Sequence, residues 1–350
     1  MKLIRFSVGD DAIHFGLVIG DRAVSFETLM TRSGRTHAEL QDSDAYLQAL
    51  PASEKIAREL LLWGQDALPQ FSDAEKPVLA RVTLHAPVAV RALFDFGLTP
   101  RHLANTVDTM GKYEQGNPQT LALLDAIRKM LLAPKQAAAP GQPERLSYYK
   151  CNLNAVSGHD VTVPWPVYTS YLDIEPELAV VYGNAQQPIA GYCIFNDVSA
   201  RDVQVPEIIG GFCLSKDMAQ GNQLGPWLVT PDEAGDVFDQ NVTVKVNGKE
   251  RYRGHTREIT HRPEDMMRWL SLICPLQTGS VMGMGTIPDC TGMDIDDFVE
   301  PGDEIDIQFQ ALGTLRTRFA RPTRPVLPSR WPARARGTCQ WPLASAPGRR

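Results

Sequence analysis

Two glutamates at alternate positions, Glu175 and Glu177, are the residues of this chain whose types and spacing most directly suggest chemistry. They stand at the entrance to the apolar run 178–182, which is typical of a buried β-strand. Side chains two residues apart on a strand point to the same face, so both carboxylates can contact one ion. A second β-rich run, 191–196, delivers Asp197 to the same point. Three carboxylates together favour a hard cation such as Mg²⁺, Mn²⁺ or Ca²⁺ over Zn²⁺.

An isolated Glu-x-Glu pattern has a commoner explanation than a metal site. Charged side chains are mostly exposed, so such a pair usually forms the solvated face of a half-exposed strand. The motifs that surround Glu175 and Glu177 in this chain favour the metal site instead.

Composition excludes several classes of protein. The 350 residues are 43% hydrophobic, enough for a sizeable core, and the formal charge of −6 argues against nucleic acid as the main partner. No apolar run approaches the ~20 residues that span a bilayer, and the N-terminus reads as a β-strand without the apolar core of a signal peptide. We therefore expect a cytoplasmic protein. The six cysteines form no Cys-x-x-Cys pair, which favours free thiols over disulfides or zinc.

The texture of the chain predicts a mixed α/β fold, predominantly β, in three parts. Residues 1–85 form a small β-rich N-terminal domain, and 86–320 form a second, larger domain, whose part 160–320 has many short strands separated by Gly and Pro. Within the latter, 103–147 is a predicted lid that contains an Ala/Pro/Gly-rich stretch. Residues 321–350 contain seven Arg, six Pro and no acid, and we expect a disordered tail.

Helices are expected in only a few places. The patterns predict them near 51–63, within 109–135 and at 263–270, the last with Pro and acids in its first turn. Between 160 and 320 we expect at most two.

Six ordered blocks in the C-terminal half carry a specific resemblance. They are Asp-Ile-Glu-Pro-Glu-Leu-Ala-Val-Val-Tyr-Gly (173–183), Phe-Asn-Asp-Val-Ser-Ala-Arg-Asp-Val-Gln (195–204), Ser-Lys-Asp-Met (215–218) before Leu-Gly-Pro-Trp-Leu-Val-Thr (224–230), Val-Asn-Gly-Lys (246–249), Gly-Thr-Ile-Pro (285–288) and Pro-Gly-Asp-Glu-Ile (301–305). These blocks resemble the C-terminal catalytic domain of the fumarylacetoacetate hydrolase superfamily. The resemblance implies that family's β-roll fold and a homodimer.

The same resemblance implies roles for individual residues. Glu175, Glu177 and Asp197 match the family's divalent-metal ligands. Asp95 lies seven residues before His102, a spacing similar to that of a fourth ligand and of the histidine that activates water.

Four further positions match polar residues of the family's site. Lys216 matches the lysine that stabilises developing negative charge, Arg201 and Gln204 match residues near metal and substrate, and Thr286 matches a substrate contact. The carboxylate that partners the histidine has two candidates, Glu300 and Glu114.

These features predict a metal-dependent hydrolase that cleaves a carbon-carbon bond in an acylpyruvate-like or other 1,3-dicarbonyl acid, in aromatic or diketone catabolism. A divalent ion can stabilise the electrons released by cleavage, and a histidine with an ordinary pKa near 6.5 can take a proton from water. One alternative keeps the metal scaffold but makes the enzyme a hydratase, isomerase or decarboxylase of a 2-oxo acid. Another makes the chain a non-catalytic scaffold whose Arg/Pro tail binds an anionic partner.

Overall fold

The strands of the protein confirm the mixed α/β fold class. The structure, a computed structural model, describes residues 1–9, 11–133 and 143–332. Runs of alternating or continuous apolar residues produce the strands, since half-buried strands repeat with period two and central strands are apolar on both faces. They are β1 (Lys2–Ser7), β2 (His14–Ile19), β3 (Arg22–Ser25), β4 (Thr83–Leu84), β5 (Ala92–Phe96), β6 (Tyr148–Lys150), β7 (Val156–Ser157), β8 (Val161–Val163), β9 (Leu172–Asp173), β10 (Pro176–Tyr182), β11 (Ile189–Asp197), β12 (Ser199–Ala200), β13 (Asn222–Val229), β14 (Asn241–Val246), β15 (Lys249–His255), β16 (Ser280–Thr286), β17 (Glu304–Phe309) and β18 (Gly313–Phe319).

The helices differ from expectation in number and bounds. Residues 109–135 do not form one helix, because Asn117 caps a new helix by accepting from the backbone N–H of Thr120 and Pro118 occupies its first turn. Between 160 and 320 there are four helices rather than at most two, and two of them are too short for a periodic pattern. The helices of the described residues are α1 (Phe26–Ser33), α2 (Ser43–Gln48), α3 (Ala52–Ala67), α4 (Pro100–Tyr113), α5 (Pro118–Leu132), α6 (Arg201–Glu207), α7 (Pro231–Ala234), α8 (Pro263–Ser271) and α9 (Gly292–Ile295).

One large sheet runs through the protein. It has eleven strands, in the order β3-β2-β1-β13-β11-β10-β16-β5-β6, with β4 on β1 and β7 on β13. The N-terminal strands therefore continue the sheet of the C-terminal part, with Lys2 opposite Val229 in the antiparallel pair β1 and β13. Residues 1–85, expected as a small domain, share backbone hydrogen bonds with the remainder.

A second sheet packs on the first. It has five strands, β15-β14-β17-β18-β8. Buried side chains of both sheets, such as Leu178 and Ile194 from the large one and Val244 and Ile307 from the small one, belong to one apolar cluster. Each fully buried aliphatic side chain of this kind contributes roughly 1.5–3 kcal/mol to folding, so this core holds the central strands rigidly in register.

The start of the expected tail is packed on the body. The prediction of disorder is wrong for 321–332, since Val326 and Trp331 are buried there and the backbone N–H of Leu327 donates to Val167 O at 2.7 Å. Trp331 stacks on Tyr113, with ring centroids 4.7 Å apart. An aromatic pocket on the body thus supplies the apolar partner that the tail lacks by itself. The remainder, 333–350, lies outside the described residues.

Two smaller expectations concern thiols and membranes. The cysteines of the described residues are all free thiols; three are buried, whereas Cys213 and Cys274 are exposed. No helix in the described part of the chain is long and apolar enough to cross a bilayer.

Candidate active site

Four neighbouring strands bring the acidic residues together. Asp95 lies on β5, Glu177 on β10 and Asp197 at the end of β11, while Glu175 directly precedes β10. The order β11-β10-β16-β5 places these strands side by side. Carboxylate oxygens of Asp95, Glu175 and Asp197 lie within 4.8 Å of one another, and all three side chains are buried. The structure therefore places the acids from distant parts of the sequence in one cluster.

Glu177 lies beside this triad and is fixed by β16. Its Oε2 accepts from the backbone N–H of Gly285 at 3.0 Å, and its Oε1 accepts from the Thr286 hydroxyl at 3.1 Å. Thr286, expected as a substrate contact, lines a cavity that opens onto this cluster. The two glutamates of the Glu-x-Glu pattern therefore differ, since one joins the triad and the other is held by backbone and hydroxyl donors.

Two glycines allow β16 to approach Glu177 so closely. A Cβ added at Gly283 would lie 2.6 Å from Glu177 Oε2, and one at Gly285 would lie 2.7 Å from Leu98 N. Gly285 also has φ +96°, which disfavours other residues. From sequence alone these glycines suggest a close approach of backbone to ligand; in the structure Gly283 makes room for the Glu177 carboxylate and Gly285 for the backbone at Leu98.

Lys216 is the cation that lies inside the cluster. Its Nζ is 2.5 Å from both Glu175 Oε2 and Asp197 Oδ2, and the side chain is buried. Tyr149 also donates its hydroxyl to Asp197, and the Tyr149 ring lies 5.5 Å from the ammonium. Burial opposes the charge on Lys216, but the adjacent carboxylates outweigh this and raise its pKa. The ammonium stays protonated at neutral pH.

Arg201 and Gln204, both on α6, form the next layer. Arg201 Nη1 lies 2.6 Å from Glu175 Oε1 and donates to Gln204 Oε1 at 3.0 Å, and Nη2 lies 2.8 Å from Asp173 Oδ2. Asp173 also accepts the backbone N–H of Gly292, at 2.7 Å. Asp173, which sequence reasoning did not single out, thereby fixes Arg201 and the start of α9 together.

His102 is oriented by Asp294. The imidazole Nδ1 lies 3.1 Å from Asp294 Oδ2, and Nε2 lies 3.6 Å from Glu175 Oε1. Since an ionised carboxylate only accepts, Nδ1 carries a proton and Nε2 faces the acidic cluster. Asn105 and Thr291 donate to Asp294 at 2.9 Å each. This is the arrangement of a base and the group that orients it.

Neither acid expected as the partner of His102 fills that place. Glu114 accepts from Trp331 Nε1 at 2.7 Å and pairs with Arg330. Glu300 lies at the turn before β17, where its backbone N–H donates to Asp303 Oδ2 at 2.8 Å. The Thr-x-x-Asp pattern that ends at Asp294 indicates the start of a helix, but nothing local shows that this helix faces His102.

The pKa of His102 differs from the ordinary value assumed from sequence. Burial opposes the charged imidazole, but the carboxylates of Asp294 and Glu175 outweigh it and raise the pKa of His102 to about 9. In the protein without a cation, His102 is therefore protonated at neutral pH.

The pKa values of the acids shift in opposite directions. Burial raises the pKa of Asp95, Glu177 and Asp197, with further increases from their acidic neighbours. Burial acts on Glu175 too, but Arg201, Lys216 and His102 hold its pKa well below the usual range. Mutual repulsion of these groups is relieved by a positive charge placed among them.

The residues present fit a divalent cation. Asp95 Oδ1 and Asp197 Oδ1 are buried and accept no hydrogen bond from the described residues. Such oxygens are costly unless something pairs with them. An all-oxygen donor set suits Mg²⁺, Mn²⁺ or Ca²⁺. The cluster Asp95, Glu175 and Asp197 is thus a plausible metal site.

A cavity of about 400 Å³ opens onto this cluster. Its floor includes Asp95, Glu175, His102 and Lys216, and helices α4 and α5 provide much of its wall. These helices make up most of the predicted lid, 103–147. The part of that segment at 134–142 lies outside the described residues.

Comparison with known sequences settles the family. A sequence model described as "Fumarylacetoacetate (FAA) hydrolase C-terminal" matches residues 120–320, more than half of the chain. The chain belongs to the fumarylacetoacetate hydrolase family. Most of the site residues of this family member lie within the matched range, whereas Asp95 and His102 precede it.

Individual relatives agree with this assignment. An uncharacterized protein of Staphylococcus aureus (strain USA300) is 30% identical over 189 residues, which are 51% of this chain and 62% of that relative. The chain thus covers less than two thirds of that curated relative. The structure of 5-carboxymethyl-2-hydroxymuconate delta-isomerase from Mycobacterium smegmatis is similar at 23% identity and a TM-score of 0.58, over 91% of this chain and 99% of that chain. Maleylpyruvate hydrolase from Sphingobium sp. SYK-6, in complex with manganese(II) ion and pyruvate, matches at 20% identity and a TM-score of 0.61, over 92% and 100%. At such identities the likeness shows a shared fold.

Proposed function

We propose that this protein is a metal-dependent hydrolase that cleaves a carbon-carbon bond in an acylpyruvate-like or other 1,3-dicarbonyl acid. The observation that carries the proposal is the His102–Asp294 pair in a cavity lined by buried carboxylates, with His102 Nε2 lying 3.6 Å from Glu175 Oε1 and 3.3 Å from the Thr106 hydroxyl. Family membership supports it, as does the fold shared with a maleylpyruvate hydrolase.

The cation belongs to the carboxylate cluster. Asp95, Glu175 and Asp197 would hold it, with Glu177 beside them, and we propose Mg²⁺ as the ion. When bound, a divalent cation supplies the positive charge that stabilises the electrons released by cleavage and lowers the pKa of His102 by neutralising Glu175.

His102 supplies the base. Asp294 holds the proton on Nδ1, which leaves the lone pair of the neutral ring on Nε2, directed into the cavity. Nε2 takes a proton from water while the water oxygen bonds to the acyl carbonyl carbon of the substrate. The carbon-carbon bond then breaks, its electron pair passes to the carbon that becomes the methyl group of pyruvate, and that carbon takes up the proton held on His102 Nε2, while the acid formed from the acyl group releases its own proton to solvent.

The fixed cations and the hydroxyl position the substrate. Lys216 and Arg201 already lie against Glu175, so both carry positive charge within the buried site. A fixed cation in a buried site stabilises an oxyanion far better than one in water, because nothing reorganises during the reaction. Gln204 and Thr286 line the same cavity and present polar groups to the 2-oxo acid end.

A second candidate function uses the carboxylate cluster without attack of water on a carbonyl carbon. Lys216 and Arg201 contact Glu175 without any help from α4, so an isomerase, hydratase or decarboxylase of a 2-oxo acid needs only these parts. In that case His102 would be dispensable.

Substitution of His102 separates the two candidates. For hydrolysis, His102→Gln should lower kcat by about two to four orders of magnitude, the usual worth of a positioned proton acceptor. Turnover is followed by loss of the ultraviolet absorbance of acetylpyruvate, with Mg²⁺ and with EDTA. His85→Gln, at a histidine far from the cavity lining, serves as the control. Near-full turnover by His102→Gln would favour the second candidate.

The proposal extends to the state of the whole protein. We propose a cytoplasmic homodimer, as the family resemblance implies. Exposed apolar side chains at Leu272 and Ile273 support an apolar interface. Sedimentation equilibrium would measure the mass in solution.

A further inference from the structure

The cavity above the carboxylate cluster is long and has two chemically different ends. Along α4, its lining residues include His102, Thr106 and Met110, which recur every four residues and so share one face of the helix. Eight residues of α-helix rise about 12 Å. The cavity therefore extends from the reacting end at His102 to a far end at Met110, two helical turns away.

The far end is apolar. Its walls come from the facing sides of α4 and α5, and Val107 and Met110 are buried there. Met130 is 69% exposed and marks the mouth. Beyond Leu103, which adjoins His102, the apolar residues of the two helices that line the cavity are Val107, Met110, Ile127, Met130 and Leu131.

Charge is scarce at this far end. Among the described lining residues, Arg145 is the one charged side chain outside the polar floor, and it is exposed. A carboxylate placed deep between α4 and α5 would lose its hydration without gaining a cationic partner from the described residues that line this space, which is costly. An alkyl or aryl group placed there would gain from the transfer out of water.

We propose that the substrates are acylpyruvates whose acyl group is an apolar alkyl or aryl arm, which packs against Val107 and Ile127. This inference rests on the proposed hydrolase function and adds to it the chemistry of the arm. The 2-oxo acid end lies over the floor, and the arm lies between α4 and α5. A substrate with a second, terminal carboxylate is disfavoured.

A kinetic series tests the proposal directly. The probes are acetylpyruvate, butanoylpyruvate, hexanoylpyruvate and benzoylpyruvate, each compared with a 2,4-dioxo diacid of equal length. The value of kcat/KM should rise about four-fold for each methylene that becomes buried. The diacids should fall at least ten-fold below their apolar counterparts. A flat series, or a preference for the diacids that is lost in Arg145→Ala, would overturn the inference.

Two variants test whether the cavity wall causes the preference for longer apolar arms. Ile127→Glu brings a carboxylate to the half-buried wall of the arm site, and Met130→Glu brings one to the exposed mouth, where folding is not at risk. The ratio of kcat/KM for hexanoylpyruvate to that for acetylpyruvate should fall at least ten-fold in Ile127→Glu and about three-fold in Met130→Glu. Ala126→Glu, on the exposed side of the same helix, is the matched control and should keep the ratio. An unchanged ratio in both cavity variants would contradict the proposal.

A binding measurement separates this inference from the proposed reaction. The 2-oxo acids 2-oxobutanoate and 2-oxooctanoate lack the second carbonyl and cannot be cleaved by hydrolysis. With Mg²⁺ present, calorimetry should show at least ten-fold tighter binding of the longer acid, and Ile127→Glu should abolish the difference. Tighter binding without hydrolysis of any acylpyruvate would sustain the arm site and reject the hydrolase. Hydrolysis of acylpyruvates without any dependence of binding on chain length would sustain the hydrolase and reject the arm site.

Discussion

At the scale of single residues, the site is a balance of charges in a buried space. Asp95, Glu175 and Asp197 lie within 4.8 Å of one another, and Lys216 contacts two of them at 2.5 Å. A divalent cation would relieve the repulsion that raises the pKa of Asp95 and Asp197. Removal of an acid should therefore cost affinity more than it costs folding.

The first prediction concerns the ligands. Glu175→Ala and Asp197→Ala should each lower Mg²⁺ or Mn²⁺ affinity beyond detection by isothermal calorimetry, while the circular dichroism spectrum stays unchanged. Asp108→Asn is the control. Asp108 is an exposed acid on α4 that pairs with Arg128 of α5, and this variant should bind the ion as the unaltered protein does. Unchanged affinity in both ligand variants would remove the metal site from the account.

The second prediction concerns protons and metal removal. In EDTA, the imidazole of His102 should titrate with a pKa of about 9, and Asp294→Asn should lower it. Because the folded pKa lies above the unfolded value, the proton stabilises the metal-free protein fully below pH 6.5 and this contribution is lost as the pH rises toward 9. Added Mg²⁺ should shift the pKa down.

The check is a nuclear magnetic resonance titration of the ring protons. His85, whose pKa burial lowers, provides an internal reference that should not respond to Mg²⁺. A His102 pKa near 6.5 in EDTA would contradict the charge balance described for the site.

Residue by residue, sequence predicts what local patterns carry. The Glu-x-Glu pair and the Asp95–His102 spacing identify the acids and the base because strand alternation and the family blocks mark them. Asp294 and Asp173 could not be found in this way. The role of Asp294 depends on α9 meeting α4, and that of Asp173 on β9 meeting α9, and both contacts join residues more than one hundred positions apart.

At the scale of elements, helix α4 connects the site to the segment 321–332. His102 lies near its start, and Tyr113 near its end stacks on Trp331. Glu114, directly after the helix, accepts from Trp331 Nε1 and pairs with Arg330. The segment therefore holds the end of the helix whose start carries His102.

The third prediction is that this contact stabilises the protein and positions α4. Trp331→Ala should lower the free energy of unfolding in urea by about 3 kcal/mol, as for other buried aromatic residues. It should also reduce kcat, because His102 lies on the same helix. Truncation after residue 320 should have a larger effect.

Truncation after residue 332 is the matched control. It keeps Trp331 and the hydrogen bond that Tyr171 donates to Pro332 O, so stability and turnover should both be retained. Equal stability for the two truncations would show that the packing of 321–332 contributes nothing.

Element boundaries show where sequence patterns succeed and fail. The strand at 14–19 and the helix near 51–63 follow from clear periodicity. The helix expected at 109–135 was divided because a capping asparagine and a proline interrupt an otherwise continuous apolar pattern. The packing of 321–332 could not be predicted from its composition, since its apolar partners belong to the body.

At the scale of the whole molecule, one sheet links the N-terminal strands to the strands of the site. Strand β1 pairs with β13, β13 with β11, and β11 carries Asp197 at its end. The second sheet packs on this one, and buried side chains of both sheets belong to one apolar cluster. This framework holds the acidic cluster rigid, while α4 and α5 enclose the space above it.

The central claim is hydrolysis, and the most direct measurement is the fate of water. The protein, with Mg²⁺, is given benzoylpyruvate in ¹⁸O-labelled water, and the products are analysed by mass spectrometry. Hydrolysis should give benzoate that carries one ¹⁸O atom, formed in equal amount to pyruvate. Turnover that yields an isomer or carbon dioxide without labelled benzoate, or no turnover of any acylpyruvate, would contradict it.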